Sequence, residues 1–108
     1  MASGTIHMSG FGGPVAVYTY FDAQDDTWTA PKAGILDLVM FANTSGGNLQ
    51  VTVIDTSTTG TPVVGAIDVT AGTGKVGSCS FPVIGGHIYK VNTYQNVATP
   101  RALFYPLL

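Results

Sequence analysis

Ile35-Leu36-Asp37-Leu38-Val39-Met40-Phe41-Ala42 is apolar on both alternating faces except at Asp37. Successive side chains of a strand point to opposite sides, so this run predicts a strand covered on both, either in the core or at an interface. A polar link from Asn43 to Asn48 follows, with Gly46 and Gly47 placed to accept positive φ. Leu49-Gln50-Val51-Thr52-Val53-Ile54-Asp55 then alternates apolar and polar residues. Together the two runs predict a hairpin with Leu49, Val51 and Val53 facing inward.

Strand and turn signals continue outward from this centre. Towards the N-terminus, β-branched and aromatic residues predict a strand over Pro14–Phe21, ended by the loop Asp22-Ala23-Gln24-Asp25-Asp26. A short strand, Thr27–Thr29, must stop before Pro31, which has no N–H for a ladder. Towards the C-terminus, Pro62–Val69 predicts a strand weakened or bulged at Gly65, and Lys75–Phe81 another, broken at Pro82–Gly86. His87–Tyr94 and, after a loop through Pro100, Arg101–Leu108 complete the series. About eight strands at this spacing predict an all-β fold, an antiparallel β-sandwich of two four-stranded sheets that is jelly-roll-like. A Gly-rich N-terminal arm is expected over 1–13, and a single domain over 14–108 that includes the apolar C-terminal segment.

Only 9% of the residues are Asp, Glu, Lys or Arg, while 45% are hydrophobic. Ordinary soluble domains carry about a quarter charged residues, so the chain should fold yet leave a neutral surface suited to packing against copies of itself. Lys32, Lys75, Lys90 and Arg101 are scattered and form no basic stripe, which argues against a nucleic-acid partner. No apolar run approaches the ~20 residues of a membrane span, and none serves as a signal-peptide core. Cys79 is the single cysteine, so no disulfide forms within the chain, as expected of folding in a reducing cytoplasm.

Candidate chemistry is sparse. Gly72-Thr73-Gly74-Lys75 suggests a phosphate loop, but Val76 stands where magnesium needs a hydroxyl, and Val69 where the motif needs glycine. A β-turn is the expected structure. Asp22, Asp25 and Asp26 match no calcium-loop spacing, and the absence of any glutamate leaves few pairs for glycosidic chemistry. Cys79 or a serine could be a nucleophile, with His7 or His87 as base and an aspartate to orient it, but no Gly-x-Ser-x-Gly elbow occurs. Two histidines and one cysteine are too few for zinc. The expectation is a protein that is not an enzyme, with no catalytic residue, metal or cofactor. An alternative is a stand-alone lectin in which Trp28 stacks on a sugar and Gln24, Asp25 and Asp26 bind its hydroxyls.

Two further segments carry a likeness: Trp28-Thr29-Ala30-Pro31-Lys32-Ala33-Gly34, and Phe81-Pro82-Val83-Ile84-Gly85-Gly86-His87-Ile88-Tyr89-Lys90-Val91. Together they resemble the jelly-roll modules of tailed-bacteriophage particles, found in capsid decoration or cement proteins and in fibre tips. The resemblance covers about two-thirds of the chain in order and spacing. It implies a virion structural protein on the particle surface, made in the host-cell cytoplasm. With no stem, heptads or collagen-like repeat, a decoration protein that stabilises the shell is placed ahead of a receptor-binding tail tip or tail adaptor. Its expected partners are copies of itself, as a dimer or trimer, and the major capsid protein or another virion protein. Those modules usually carry Lys or Asp around the late glycine, so Ile84 in that place suggests a subunit contact. Phe11, Leu103, Phe104, Tyr105, Leu107 and Leu108 are the other expected interface residues. On this expectation, deleting Leu103–Leu108 would abolish attachment or oligomerisation and leave a folded domain.

Overall fold

The computed structural model describes residues 10–43, 47–70, 72 and 74–108. These form eight strands: β1 Val15–Ala16, β2 Thr27–Thr29, β3 Gly34–Ala42, β4 Leu49–Asp55, β5 Val63–Val69, β6 Val76–Val83, β7 Ile88–Gln95 and β8 Val97–Pro106. Two antiparallel four-stranded sheets result, in the orders β1-β8-β3-β6 and β2-β7-β4-β5. The chain changes sheet at every connection except β4 to β5, which is the connectivity of a jelly roll. The expected β-sandwich is therefore present.

The hairpin expected between 35–42 and 49–55 is not. β3 lies between β8 and β6, and β4 between β7 and β5. Both edges of each strand are occupied by other partners, so the link through residues 43–48 crosses from one sheet to the other. Of that link, residues 44–46 lie outside the described residues. The true hairpin joins β4 to β5, with a register shift between Val53 and Ile54, opposite the Gly65 region where a bulge was expected.

Other boundaries also move. The strand expected over Pro14–Phe21 shrinks to β1, because Tyr18–Tyr20 form a 3₁₀ turn in which the Phe21 N–H donates to the Tyr18 carbonyl. That turn carries the chain to the second sheet and buries Phe21 while Tyr18 and Tyr20 stay exposed. Pro82 does not break β6, which is an edge strand and so can lack a donor on its open side. Pro100 likewise sits within β8, beyond the part that β1 covers.

The C-terminal segment is an inner strand. β8 lies between β1 and β3, with Phe104 opposite Leu36 on one side and Val15 on the other. Phe11 bridges to Leu107, and the Leu108 N–H donates to the Gly10 carbonyl. Removing Leu103–Leu108 therefore takes away four of the ten residues of a central strand, which argues against the expectation of a folded truncated domain. Residues 1–9 of the expected arm lie outside the described residues.

Alternation builds the core. Leu36, Leu38 and Met40 of β3 and Leu49, Val51 and Val53 of β4 all point inward and are almost wholly buried. Trp28 enters from β2 against Phe104, 5.1 Å between ring centroids and edge-on, with Phe21 at 5.9 Å and Tyr89 at 6.1 Å. Burying each such side chain contributes roughly 1.5–3 kcal/mol. The two sheets also close on each other along β5 and β6. A Cβ on Gly65 would lie 2.5 Å from the Phe81 ring, and one on Gly77 would collide with the Ile67 methyl and lie 2.7 Å from that of Val69. Glycine here permits close approach of the sheets. Gly77→Ala should cost about 1–3 kcal/mol by overpacking, and combined with Ile67→Ala, which removes the colliding methyl, it should cost less than the sum of the two single changes, as read by urea unfolding.

Candidate functional site

The two outer faces of the sandwich differ in chemistry. Where register turns side chains outward on β2-β7-β4-β5, the residues are Thr27, Thr29, Gln50, Thr52, Thr93 and Gln95, with Lys90, Asp68 and Ala66, and with Ile54, Val63 and Ile88 towards the end where β4 stops. The middle of this face is polar and readily hydrated. On β1-β8-β3-β6, the outward positions bring Ile35 beside Tyr105, Asp37 beside Leu103, Val39 beside Arg101 and Phe41 beside Thr99. Ile35, Val39, Phe41, Leu103 and Tyr105 are only half-buried; the second sheet packs on the opposite side of these strands, and Tyr18 of the 3₁₀ turn reaches beside Val39 and Leu103. This is an apolar sheet face left open to solvent.

A groove of about 530 Å³ crosses this face, lined by Tyr18, Asp37, Val39, Pro100, Arg101 and Leu103 among others. Tyr18 lines it because the chain after β1 stays bonded to the middle of β8, Val17 N–H to the Ala102 carbonyl, before the 3₁₀ turn begins. Asp37 and Arg101 stand diagonally on adjacent strands, a placement that typically separates residues by about 7–8 Å. They form no salt bridge with each other or with any other described residue.

The expected interface residues divide. Leu103 and Tyr105 lie on this face. Phe104, between them, points the other way and is 2% exposed, so it belongs to the core and not to an interface. Phe11, Leu107, Leu108 and Ile84 gather at one end of the sandwich instead. There Leu108 and Ile84 are well exposed, at 83% and 54%.

The expected glycan residues are not brought into one platform. Trp28 is 5% exposed, and Phe21, Tyr89 and Phe104 pack around its ring, which leaves no face for a sugar. Asp25 has φ +70° and pairs with Lys90 at 3.3 Å, while Asp26 accepts a hydrogen bond from the Asp22 N–H at 3.3 Å. Sharing a hydrogen bond with Asp26, then slight desolvation and the Asp26 charge, push the Asp22 carboxyl above its usual range. Burial first, and then these carboxylates, raise the Tyr94 phenol. Gln24 is exposed. Among the described residues no three His, Cys or Asp side chains converge to hold a metal ion.

A second cluster occupies the end of the sandwich where β4 stops. Asp55, 3% exposed, accepts hydrogen bonds from the Ser57 N–H at 2.9 Å and the Thr58 hydroxyl at 2.7 Å. Its Oδ2 lies 2.9 Å from His87 Nδ1. Burial is the largest influence and pushes the carboxyl up, but the bonds from His87, Thr58 and Ser57 together outweigh it and hold the group below its usual value. The Ser57 hydroxyl accepts from the Ile88 N–H at 2.9 Å, and Thr56 donates to the Ile88 carbonyl. Each hydroxyl near the pair is thus tied to Asp55 or to the backbone, and the cluster clamps the β4–β5 loop to the start of β7. The imidazole and carboxylate do form the orienting half of a nucleophilic site, but among the described residues no hydroxyl or thiol bonds to the other ring nitrogen.

Cys79 packs beneath Gly65 in β6, and burial pushes its thiol up to about 11, so it stays protonated at neutral pH. His7 lies outside the described residues. Comparison with protein-family models and with curated proteins gives no match.

Neither the Asp55–His87 pair nor the Asp37–Arg101 diagonal was read from the sequence, since each depends on register between distant segments. The apolar outer face did have a signal, namely the two-sided hydrophobicity of 35–42. Because the folded Asp55 carboxyl is more acidic than in the unfolded chain, its contribution is complete above about pH 5 and fades as pH falls below the ordinary Asp range near 4. Asp55→Asn should cost about 2–4 kcal/mol at neutral pH. The gap from wild type in urea-unfolding series should narrow between about pH 5 and 2.

Proposed function

We propose that this chain is a non-enzymatic structural protein of a virion, an outer capsid decoration or cement protein, attached through the open face of β1-β8-β3-β6. The observation that carries the reading is the contrast between the middles of its two outer faces: one is Thr- and Gln-rich, with Ile54, Val63 and Ile88 only towards one end, and the other presents Ile35, Val39, Phe41, Leu103 and Tyr105. Burial of that apolar surface on a neighbour is favourable without any change in the fold. The likeness of Trp28–Gly34 and Phe81–Val91 to phage jelly-roll modules supplies the particle.

Function in this reading is mechanical. Contacts of modest strength, repeated across a shell, hold because each bound subunit keeps its neighbours at high local concentration. The exposed end carrying Ile84, Leu107 and Leu108 offers a second contact to the major capsid protein or another virion protein. Synthesis takes place in the host-cell cytoplasm and the final place is the particle surface. The Asp55–His87 cluster serves the fold, and no catalytic step is assigned.

Quantitative mass spectrometry of purified particles tests this directly. Hundreds of copies per particle are expected, a handful would mean a tail tip, and none would overturn the reading. Leu103→Asp, which sets a second carboxylate opposite Asp37, should cost the free protein about 1–2 kcal/mol while removing it from particles. Wild-type incorporation of the folded variant would exclude this face as the attachment surface.

A further inference from the structure

We propose that the partner covering this face is a second copy of the chain, related by a two-fold axis that sets Asp37 of each copy against Arg101 of the other. The inference rests on the reading of the open face as an attachment surface and adds what occupies it.

Association by strand addition is blocked at the sheet edges. β1 and β2, which end their sheets on one side, have two and three residues. On the other side β5 and β6 are packed together across the sandwich through Gly65 against Phe81 and Gly77 against Ile67, and β6 carries Pro82. Short strands and edge prolines are the usual devices against edge pairing. A partner therefore approaches a face, and the middle of the β1-β8-β3-β6 face is apolar where the middle of the other carries threonine and glutamine.

Charge selects the partner. Any body that buries Val39 and Leu103 also takes Asp37 and Arg101 out of water, and an unanswered charge in such a place is costly. A foreign surface would have to present an acid and a base in matching positions. A second copy has them already. An axis lying between the two faces, perpendicular to the line from Asp37 to Arg101, exchanges the positions and yields two opposite-charge contacts per dimer. Self-complementarity of this kind defines an isologous interface.

The size of the face sets the strength. Strands β8, β3 and β6, of ten, nine and eight residues, with the two-residue β1 beside them, span roughly 450 Å² in projection at about 3.3 Å per residue and about 4.8 Å between strands. That is near the lower limit for a specific interface, about 500 Å² per partner. With Tyr18 at the rim, the expected dimer is reversible, with Kd on the order of 10 µM.

Single reversals and their mixture give the test. In Asp37→Arg the two-fold brings arginine against arginine at both contacts, and in Arg101→Asp it brings aspartate against aspartate at both. A heterodimer of the two variants keeps one like-charge-free pairing of opposite sign at each contact, arginine pairs meeting aspartate pairs across the axis. Sedimentation equilibrium from about 1 to 500 µM should show a wild-type dimer, at least roughly tenfold weaker association for each variant alone, and recovery on mixing them. Circular dichroism and thermal melts verify that both variants are folded.

A pair formed within one chain would leave the mixture no better than its components, which overturns the proposal. So would a monomeric wild type at 500 µM, a trimer, or reversals that leave association unchanged. Failure here is separable from failure of the attachment reading. If the wild type is monomeric while Leu103→Asp is lost from particles, the face attaches to a different protein and only the two-fold dimer falls. If the variants behave as expected while Leu103→Asp is incorporated normally, the dimer stands and attachment through this face falls.

Discussion

Strand β3 must satisfy four sides at once, and the architecture follows from how it does so. Its backbone groups pair with β6 along one edge and with β8 along the other. Leu36, Leu38 and Met40 need a core on the inner side, while Ile35, Val39 and Phe41 leave an apolar surface on the outer side. Neither edge partner is a sequence neighbour. β6 and β8 must therefore be delivered from the far half of the chain, and the connections between them must pass through the other sheet. Once that is required, alternation of strands between sheets is the available route, and short β1 and β2 suffice to close the near side.

Legibility in the sequence followed the range of the interactions. Strands β4, β5 and β7 could be read almost to the residue, because period-two alternation and β-branched side chains are local properties. The inward set Leu49, Val51, Val53 was read correctly for the same reason. Pairing was not local, and there the sequence misled. Residues 35–42 and 49–55 look like hairpin partners, yet the link between them joins two sheets. Pro82 and Pro100 read as breaks but lie where a strand has an open side. At Tyr18–Tyr20 aromatic content suggested strand, and the need to turn towards the second sheet prevailed.

The candidate site was half legible. Two-sided hydrophobicity in 35–42 marked a face in need of cover, and Leu103 and Tyr105 were named as contacts. Phe104 was named with them because a run of apolar residues shows no inside or outside until its neighbours are known. Register with Leu36 sends it inward. Asp37 and Arg101 looked like isolated charges separated by most of the chain, and only the β3–β8 ladder makes them neighbours. Trp28 was the converse: a residue suited to ligand stacking that the core claims for itself, between Phe104, Phe21 and Tyr89.

The inner position of β8 also imposes an order in time. During synthesis β3 emerges early but lacks both edge partners, and β1 has no partner at all until β8 appears. The β4–β5 hairpin is the one pairing between consecutive strands, and the remaining pairings are of the long-range kind that fold slowly. The open apolar face is built from β3 and β8 together, so an unfinished chain does not carry it. Whatever that face meets, it can do so only after the central strand of its own sheet is in place, which keeps exposed apolar surface from forming ahead of the core.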